Sequence, residues 1–139
     1  MKKIFLDSNI WLRYLLRDEE KQFRDCQQLL ILNEQGKFKI YTSTICLLEI
    51  VYTLSSFYKI KRDEVVADLR NIISTRNLTL IDKTNFSEAL RVFEKHQIKF
   101  ADCLIATQIP KGVILCTYDR EFKKIKTFIA LTPSEYFTR

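Results

Sequence analysis

The sequence predicts an α/β fold in which helices cover both faces of a central, mainly parallel sheet. Short apolar runs alternate along the chain with segments of helical periodicity, which is the pattern of βα units. Only 2 glycines and 2 prolines occur, too few for a turn-dense all-β protein. A length of 139 residues with 47% hydrophobic residues favours one domain over residues 1–139.

The first half of the chain predicts two strands and three helices. KIFLD, from residue 3, is a short apolar run and hence a buried strand. Apolar residues with helical spacing follow it: Trp11, Leu12, Leu15 and Leu16. Residues 19–33 form a second helical segment, which is expected to stop near Gly36. KFKIYTS is strand-like, and Ser43 or Thr44 can then cap a long helix over ICLLEIVYTLSSFY.

The second half alternates in the same way. Residues 62–73 predict an amphipathic helix, LTLID a strand, and TNFSEALRVFEKH a helix capped by Thr84. FADCLIATQI predicts a short helix that Pro110 halts, and GVILCTYD a buried strand. REFKKI is expected to form about one helical turn, and TFIAL a last strand that ends at Pro133.

The composition limits the classes of function. A net charge of +6, with lysines and arginines spread over the whole chain, favours polyanionic partners such as nucleic acid. The 4 cysteines form no C-x-x-C pair and the chain has 1 histidine, His96, which argues against a zinc site built on cysteine and histidine. The same lone histidine excludes a histidine pair for acid–base cleavage of RNA. Scattered cysteines in apolar runs are expected to be reduced and buried.

No segment of the chain predicts export or a membrane anchor. Asp7 and Arg13 interrupt the apolar run at the N-terminus, which is therefore too short for a signal peptide. Residues 40–58 are weakly charged but carry Glu49 at their centre, so they are a poor membrane span. We therefore expect a cytoplasmic protein.

Four acidic residues stand alone inside segments that should be buried. Asp7 follows the first strand, Glu49 lies within an apolar helix, Asp102 near the start of another, and Asp119 follows VILCTY. An unpaired carboxylate is costly in such places. Asp7 and Asp119 are also predicted at the carboxyl ends of strands, where parallel sheets have their binding crevice.

Two interpretations of these acids remain open. Asp7 and Asp102 can be helix caps, and Asp119 can hold the turn that follows it. This explanation fails for Glu49, because a glutamate in the middle of a helix caps nothing. Alternatively the four acids converge and bind hard divalent cations, which prefer oxygen ligands. Two such cations can activate a water and stabilise both oxygens in displacement at phosphorus, without a histidine.

The order and spacing of FLDSN, the helical glutamate, FADCLIA and TYDREF resemble the PIN domain, a family of metal-dependent ribonucleases. More narrowly, the chain resembles the small stand-alone VapC-type toxins of toxin–antitoxin systems, over residues 1–136. The resemblance implies a three-layer α/β/α sandwich around a parallel sheet. It also implies that Asp7, Glu49, Asp102 and Asp119 are the catalytic acids and hold one or two Mg²⁺ or Mn²⁺ ions.

The resemblance implies supporting roles as well. Ser8 and Asn9 match a small hydroxyl and an amide expected to orient the first acid or a water, and Thr117 matches a hydroxyl residue near the fourth acid. Phe122 matches an aromatic residue of the core. Cys103 stands where the family often has alanine, and Glu121 stands where the family often has an aspartate. Neither departure removes a metal ligand.

The resemblance implies an endoribonuclease that leaves a 5′-phosphate and a 3′-hydroxyl, restrained by a cognate antitoxin and paired as a homodimer. The alternatives are a housekeeping RNA-processing PIN nuclease and a non-catalytic PIN-like scaffold that binds RNA or protein. A phosphatase with Asp7 as nucleophile is excluded because Asn9 stands where its second aspartate would be.

Six large apolar residues exceed what one core is expected to absorb and predict a partner surface: Trp11, Tyr14, Leu15, Leu30, Phe57 and Tyr58.

Overall fold

Five parallel strands form the central sheet of the protein. In the computed structural model, which describes residues 1–139, their order across the sheet is β3-β2-β1-β4-β5. The strands are β1 (Lys2–Leu6), β2 (Phe38–Ser43), β3 (Leu78–Ile81), β4 (Ile114–Cys116) and β5 (Ala130–Leu131). Every neighbouring pair runs parallel, as the sequence predicts. The last strand is shorter than TFIAL, since only two of its residues pair with β4.

The topology places a crevice beside β1. From β1 the chain builds the sheet outward through β2 and β3, and then returns to place β4 on the other side of β1. The strand order therefore reverses between β1 and β4. In open α/β sheets ligands bind beyond the carboxyl ends of the strands at such a switch point. The residues that directly follow these two strands, Asp7 and Thr117, thus lie where a ligand is expected.

Seven α-helices connect and flank the strands. They are α1 (Ser8–Leu16), α2 (Glu20–Glu34), α3 (Thr44–Tyr52), α4 (Arg62–Ile73), α5 (Phe86–Lys95), α6 (Phe100–Ala106) and α7 (Pro133–Thr138). A π-helical segment, Thr53–Phe57, continues α3, and a 3₁₀ helix, Arg120–Lys124, stands where REFKKI predicts a helical turn. Helix α7 is absent from the sequence-based prediction, although Thr132 and Glu135 form a capping box at its start.

The predicted caps are confirmed in one case and corrected in another. Ser43 caps α3 by accepting a hydrogen bond from the backbone N–H of Cys46. Helix α5 is capped by Asn85 and not by Thr84, because the Asn85 side chain accepts from the N–H of Glu88 at 3.1 Å. Both residue types are good caps, and the one in register with the first free N–H group of the helix takes the role.

The two faces of the sheet carry separate apolar cores. Side chains alternate along β1, so Ile4 and Leu6 pack with α1, α2 and α4 while Phe5 packs on the opposite face with α5 and α6. Phe122 is fully buried in the second core, as expected. The result is the predicted α/β/α sandwich. All four cysteines are free and buried, also as predicted.

The predicted partner surface is only partly exposed. Trp11 is 2% exposed and belongs to the core, so the expectation that it is left over is wrong. Its indole N–H reaches the hydroxyl of Thr42, which allows the whole ring to be buried. Phe57, on the π-helical segment, is 76% exposed. None of the helices has both the length and the apolar character that crossing a bilayer requires.

Candidate functional site

The structure brings the four predicted acids to one crevice at the carboxyl edge of the sheet. Asp7 directly follows β1, and Asp119 lies three residues beyond β4. Glu49 lies in α3, and Asp102 in the first turn of α6. Glu49 and Asp102 both lie close to Asp7 and Asp119. The negative charges of Asp7 and Asp119 raise the pKa of each of these two helical acids.

Asp7 is buried and held by four donors. Its Oδ1 accepts hydrogen bonds from the N–H of Ser8 at 2.8 Å and from the thiol of Cys46 at 3.7 Å. Its Oδ2 accepts from the hydroxyl of Thr117 at 2.7 Å and from the amide of Asn9 at 3.2 Å. Burial raises the pKa of Asp7, and the bonds from Thr117 and Ser8 act against that rise.

Thr117 joins the first acid to the fourth. Its hydroxyl donates to Asp7 and accepts from the backbone N–H of Asp119 at 2.9 Å. The side chain of Asn9 adds a second link, because its amide oxygen accepts from the N–H of Tyr118 at 3.1 Å. These bonds fix the segment after β4 against the segment after β1. Thr117 and Asn9, both expected to be supporting residues, therefore lie in contact with the acids.

Glu49 is half-buried and is oriented from two sides. The hydroxyl of Ser8 donates to its Oε1 at 3.1 Å, so Ser8 contacts Asp7 through its backbone and Glu49 through its side chain. Lys99 Nζ lies 3.8 Å from Oε2. Burial, and then the charge of Asp7, raise the pKa of Glu49, whereas Lys99 lowers it.

Asp102 differs from the other three acids. It is 3% exposed, and its Oδ2 is buried without any hydrogen-bond partner. Burial raises its pKa from 3.8 to about 8, Lys99 opposes the rise, and the facing acids Asp119 and Asp7 add to it. A carboxylate in this state needs either a proton or a cation.

Comparison with known proteins identifies the family to which this arrangement belongs. The family model of the PIN domain matches residues 4–127 of the chain, a range that contains all four acids. The chain belongs to the PIN domain family. It is 28% identical, over 122 residues, to a VapC ribonuclease of Aquifex aeolicus (strain VF5), and the match covers 86% of this chain and 90% of that protein.

Two solved structures share the fold seen here. The crystal structure of VapBC2 from Rickettsia felis, bound to a DNA fragment from the promoter, superposes with a TM-score of 0.66 at 23% identity. That alignment covers 92% of this chain and 96% of the matched one. PAE2754 from Pyrobaculum aerophilum gives a TM-score of 0.61 at 18% identity, over 93% of this chain and 89% of the other.

Capping accounts for two of the four acids, but it leaves the rest of this PIN domain site unexplained. Asp7 is the N-cap of α1, and Asp119 caps the 3₁₀ helix by accepting from the N–H of Glu121. Asp102 caps nothing, because Lys99 occupies the N-cap position of α6. The orphaned Oδ2 of Asp102 and the carboxylate oxygens of the other acids fit a hard divalent cation such as Mg²⁺ or Mn²⁺.

Two residues at the site were not among the predicted site residues. Cys46 lies one helical turn before Glu49, a spacing visible in the sequence, and its ligand atom lies within 4.8 Å of those of Asp7 and Glu49. Lys99 stands three residues before Asp102, at the start of the same helix. The sequence shows both spacings, but only the packing of α3 and α6 against β1 brings the two side chains to the acids.

Proposed function

We propose that the protein is a Mg²⁺- or Mn²⁺-dependent endoribonuclease and the toxin of a toxin–antitoxin pair. Asp7, Glu49, Asp102 and Asp119 are the proposed metal ligands. Membership of the PIN domain family and the similarity to a VapC ribonuclease support nuclease activity. The observation that carries the metal assignment is the buried, unpartnered oxygen of Asp102 facing other acids.

The residues of the crevice have separable roles in this proposal. Thr117 and the N–H of Ser8 hold Asp7 in one orientation, and the Ser8 hydroxyl and Lys99 hold Glu49. When bound, divalent cations activate a water and stabilise negative charge during displacement at phosphorus. The hydrogen bonds to Asp7 and Glu49 fix the ligand oxygens before the metal binds, which lowers the reorganisation that the reaction requires.

Positive charge near the crevice supports an RNA substrate. Lys99 lies beside Glu49 with 69% of its side chain exposed, so it is accessible to a phosphate of the RNA backbone. The net charge of +6 favours the approach of a polyanion in general. RNA binding should therefore weaken as the salt concentration rises.

The direct test is cleavage of RNA with and without metal. Purified protein should cleave RNA in Mg²⁺ or Mn²⁺, leaving a 5′-phosphate and a 3′-hydroxyl, and should be inactive in chelator. Asp102→Asn should reduce the rate by more than about a hundredfold, since removing even an outer-shell partner of a metal site costs 10–100-fold.

Asp63→Asn is a matched control for that test, because Asp63 is an exposed aspartate at the start of α4. It makes the same chemical change away from the crevice and should cleave like the unsubstituted protein. Cleavage in chelator, or full activity of a folded Asp102→Asn variant, contradicts the proposal.

A groove beside the early helices supports an antitoxin partner. It measures about 440 Å³ and runs between α1, α2 and the end of α4, with Trp11, Tyr14, Leu15, Leu30 and Ile72 as its apolar lining. Of the six residues predicted to form a partner surface, Tyr14, Leu15 and Leu30 line this groove, and the buried Trp11 lies at its base. The PIN domain resemblance implies that the tail of an antitoxin binds between the early helices, and this groove has an apolar lining suited to such a tail.

A homodimer is also proposed, on the evidence of exposed apolar side chains. On α5, Phe86, Leu90 and Phe93 follow one another at helical spacing and are each about half exposed. Leu48 and Tyr52, one turn apart on α3, are 65% and 70% exposed. Sedimentation of the purified protein should give the mass of a dimer, and Leu90→Glu should shift it toward the monomer.

Growth assays separate a toxin from a housekeeping nuclease. Expression of the protein alone should arrest bacterial growth, and co-expression of the protein encoded next to it should restore growth. The Asp102→Asn variant should not arrest growth. If soluble, catalytically active protein leaves growth unchanged, the toxin role is wrong and a role in RNA processing becomes the better explanation. If the protein binds RNA without cleaving it, a non-catalytic scaffold becomes the better explanation.

A further inference from the structure

Cys46 is the one cysteine of the chain that groups with carboxylates. Its sulfur lies 3.7 Å from Asp7 Oδ1, and the ligand atoms of Asp7, Cys46 and Glu49 all lie within 4.8 Å of one another. The side chain is fully buried, on the turn of α3 that precedes Glu49. The cation site proposed above therefore has a sulfur atom in its wall, which a site for Mg²⁺ or Mn²⁺ does not need.

A thiolate changes which cation such a site prefers. Mg²⁺ and Mn²⁺ favour oxygen ligands, whereas sulfur ligands select softer ions such as Zn²⁺. Zinc is bound at about 2.3 Å by sulfur and 2.0–2.2 Å by carboxylate oxygen, so tetrahedral ligand atoms lie roughly 3.5 Å apart. The three atoms at this site lie within 4.8 Å of one another, so they need to close by at most about 1.3 Å to reach that arrangement.

A second observation indicates that the same space receives a cation. Asp102 faces the crevice from α6 with a buried oxygen that has no partner, and it lies close enough to Asp7 for the charge of Asp7 to affect it. This carboxylate lies outside the group of three ligand atoms, and it adds an unpaired oxygen to the same crevice. The site thus combines acids from β1, α3 and α6 with one thiol, and it is more than an acidic cluster or an isolated cysteine.

Of the four donors to Asp7, the thiol of Cys46 makes the weakest contact. Two of the other donors, the Ser8 N–H and the Thr117 hydroxyl, make short bonds of 2.8 and 2.7 Å. The thiol contact at 3.7 Å is the longest of the four, and S–H is a weak donor. When a soft cation binds, the thiol proton leaves to solvent, the sulfur bonds the metal, and Asp7 exchanges this weak contact for a metal bond.

We propose that Asp7, Cys46 and Glu49 form a thiolate-containing site for Zn²⁺ or Cd²⁺, which competes with Mg²⁺ or Mn²⁺ and holds the nuclease inactive. This inference rests on the proposed metal-dependent function. A tetrahedral ion bound by three or four protein ligands has few positions left for water and phosphate, whereas Mg²⁺ usually keeps several waters. Soft metals therefore inhibit the protein through Cys46.

Co²⁺ provides a readout that does not depend on catalysis. Bound to a thiolate, it shows charge-transfer absorption in the near ultraviolet, which it lacks with oxygen ligands alone. The unsubstituted protein with Co²⁺ should show this band, and Cys46→Ser or Cys46→Ala should abolish it. The ratio of Zn²⁺ affinity to Mn²⁺ affinity should fall by about tenfold or more in the same variants, the size of effect seen when a metal-site group is lost.

Cys103→Ser is the matched control, since Cys103 is equally buried and directly follows Asp102. It should keep the Co²⁺ band and the Zn²⁺ preference. A band that survives loss of Cys46, or no band in protein that binds Mn²⁺, overturns this inference and leaves the proposed hard-cation site standing. If neither Mn²⁺ nor Co²⁺ binds, the metal site of the proposed function fails together with it.

Discussion

The two walls of the acidic crevice hold their carboxylates in opposite ways. On the strand wall, Asp7 accepts hydrogen bonds from four donors, and on the helix wall Asp102 has an oxygen with none. Both side chains are 3% exposed, so burial alone does not distinguish them. Burial raises the pKa of both acids, but the donors around Asp7 act against that rise, whereas the orphaned oxygen of Asp102 is left to be stabilised by a proton or a cation.

The largest effect expected from this difference is an opposite response of the two acids to the same substitution. In metal-free protein, Asp7→Asn should lower the free energy of unfolding by about 1–3 kcal/mol, the usual cost of leaving buried donors unpaired. An amide has a single carbonyl oxygen, so its NH₂ group would face two of the present donors. Asp102→Asn should leave the free energy of unfolding unchanged or raise it, because burial disfavours the ionised form of Asp102 and an amide cannot ionise.

Urea unfolding of both variants in chelator measures this contrast, with Asp63→Asn as the exposed control. Addition of Mn²⁺ should stabilise the unsubstituted protein, since a ligand that binds only the folded state shifts the unfolding equilibrium. It should stabilise Asp102→Asn much less. Equal destabilisation by Asp7→Asn and Asp102→Asn would show that both acids are held by the protein in the same way.

A second effect is a dependence of stability on pH. The pKa of Asp102 is raised to about 8 in the folded protein, against an ordinary value of 3.8. Between these two pH values the folded state binds a proton that the unfolded state has released. The contribution of Asp102 to metal-free stability is therefore fully present below about pH 4 and is lost as the pH rises to about 8.

Thermal unfolding in chelator at pH 5 and pH 8 tests this expectation. The unsubstituted protein should lose more stability over that interval than Asp102→Asn, which has no proton to lose. Mn²⁺ should show the reverse trend and bind more tightly at pH 8, because the ligand must be ionised. Identical pH profiles for the two proteins would show that the pKa of Asp102 is not raised in the folded protein.

The smallest expected effect concerns the hydroxyl that joins Asp7 to Asp119. Thr117→Val keeps the shape of the side chain but removes the donor to Asp7 and the acceptor for the N–H of Asp119. We expect a loss of about 1 kcal/mol in the free energy of unfolding and weaker Mn²⁺ binding. Thr79→Val, on the edge strand β3, should change stability by less than about 0.5 kcal/mol. If Thr117→Val is as stable as Thr79→Val, the Thr117 hydroxyl does not contribute to holding Asp7 and Asp119.

Much of the fold was predictable because the signals are local. Apolar runs of four to six residues and helical periodicity depend on neighbours in the chain, and the five strands and most helices lie where those patterns predict them. Helix α7 was missed although its capping box is visible at Thr132 and Glu135. The π-helical segment Thr53–Phe57 was missed for a different reason, since nothing in its sequence departs from ordinary helical periodicity.

The sequence by itself determined the fold class and the four acids, because a carboxylate inside an apolar run is conspicuous without any structure. It treated the four as equivalent. Only the tertiary structure decided that Asp7 has four donors and Asp102 an orphaned oxygen, and that Cys46 and Lys99 reach them. Those properties depend on which side chains the strand order and helix packing bring within about 3–4 Å, and residues such as Asp7 and Thr117 are 110 positions apart in the chain.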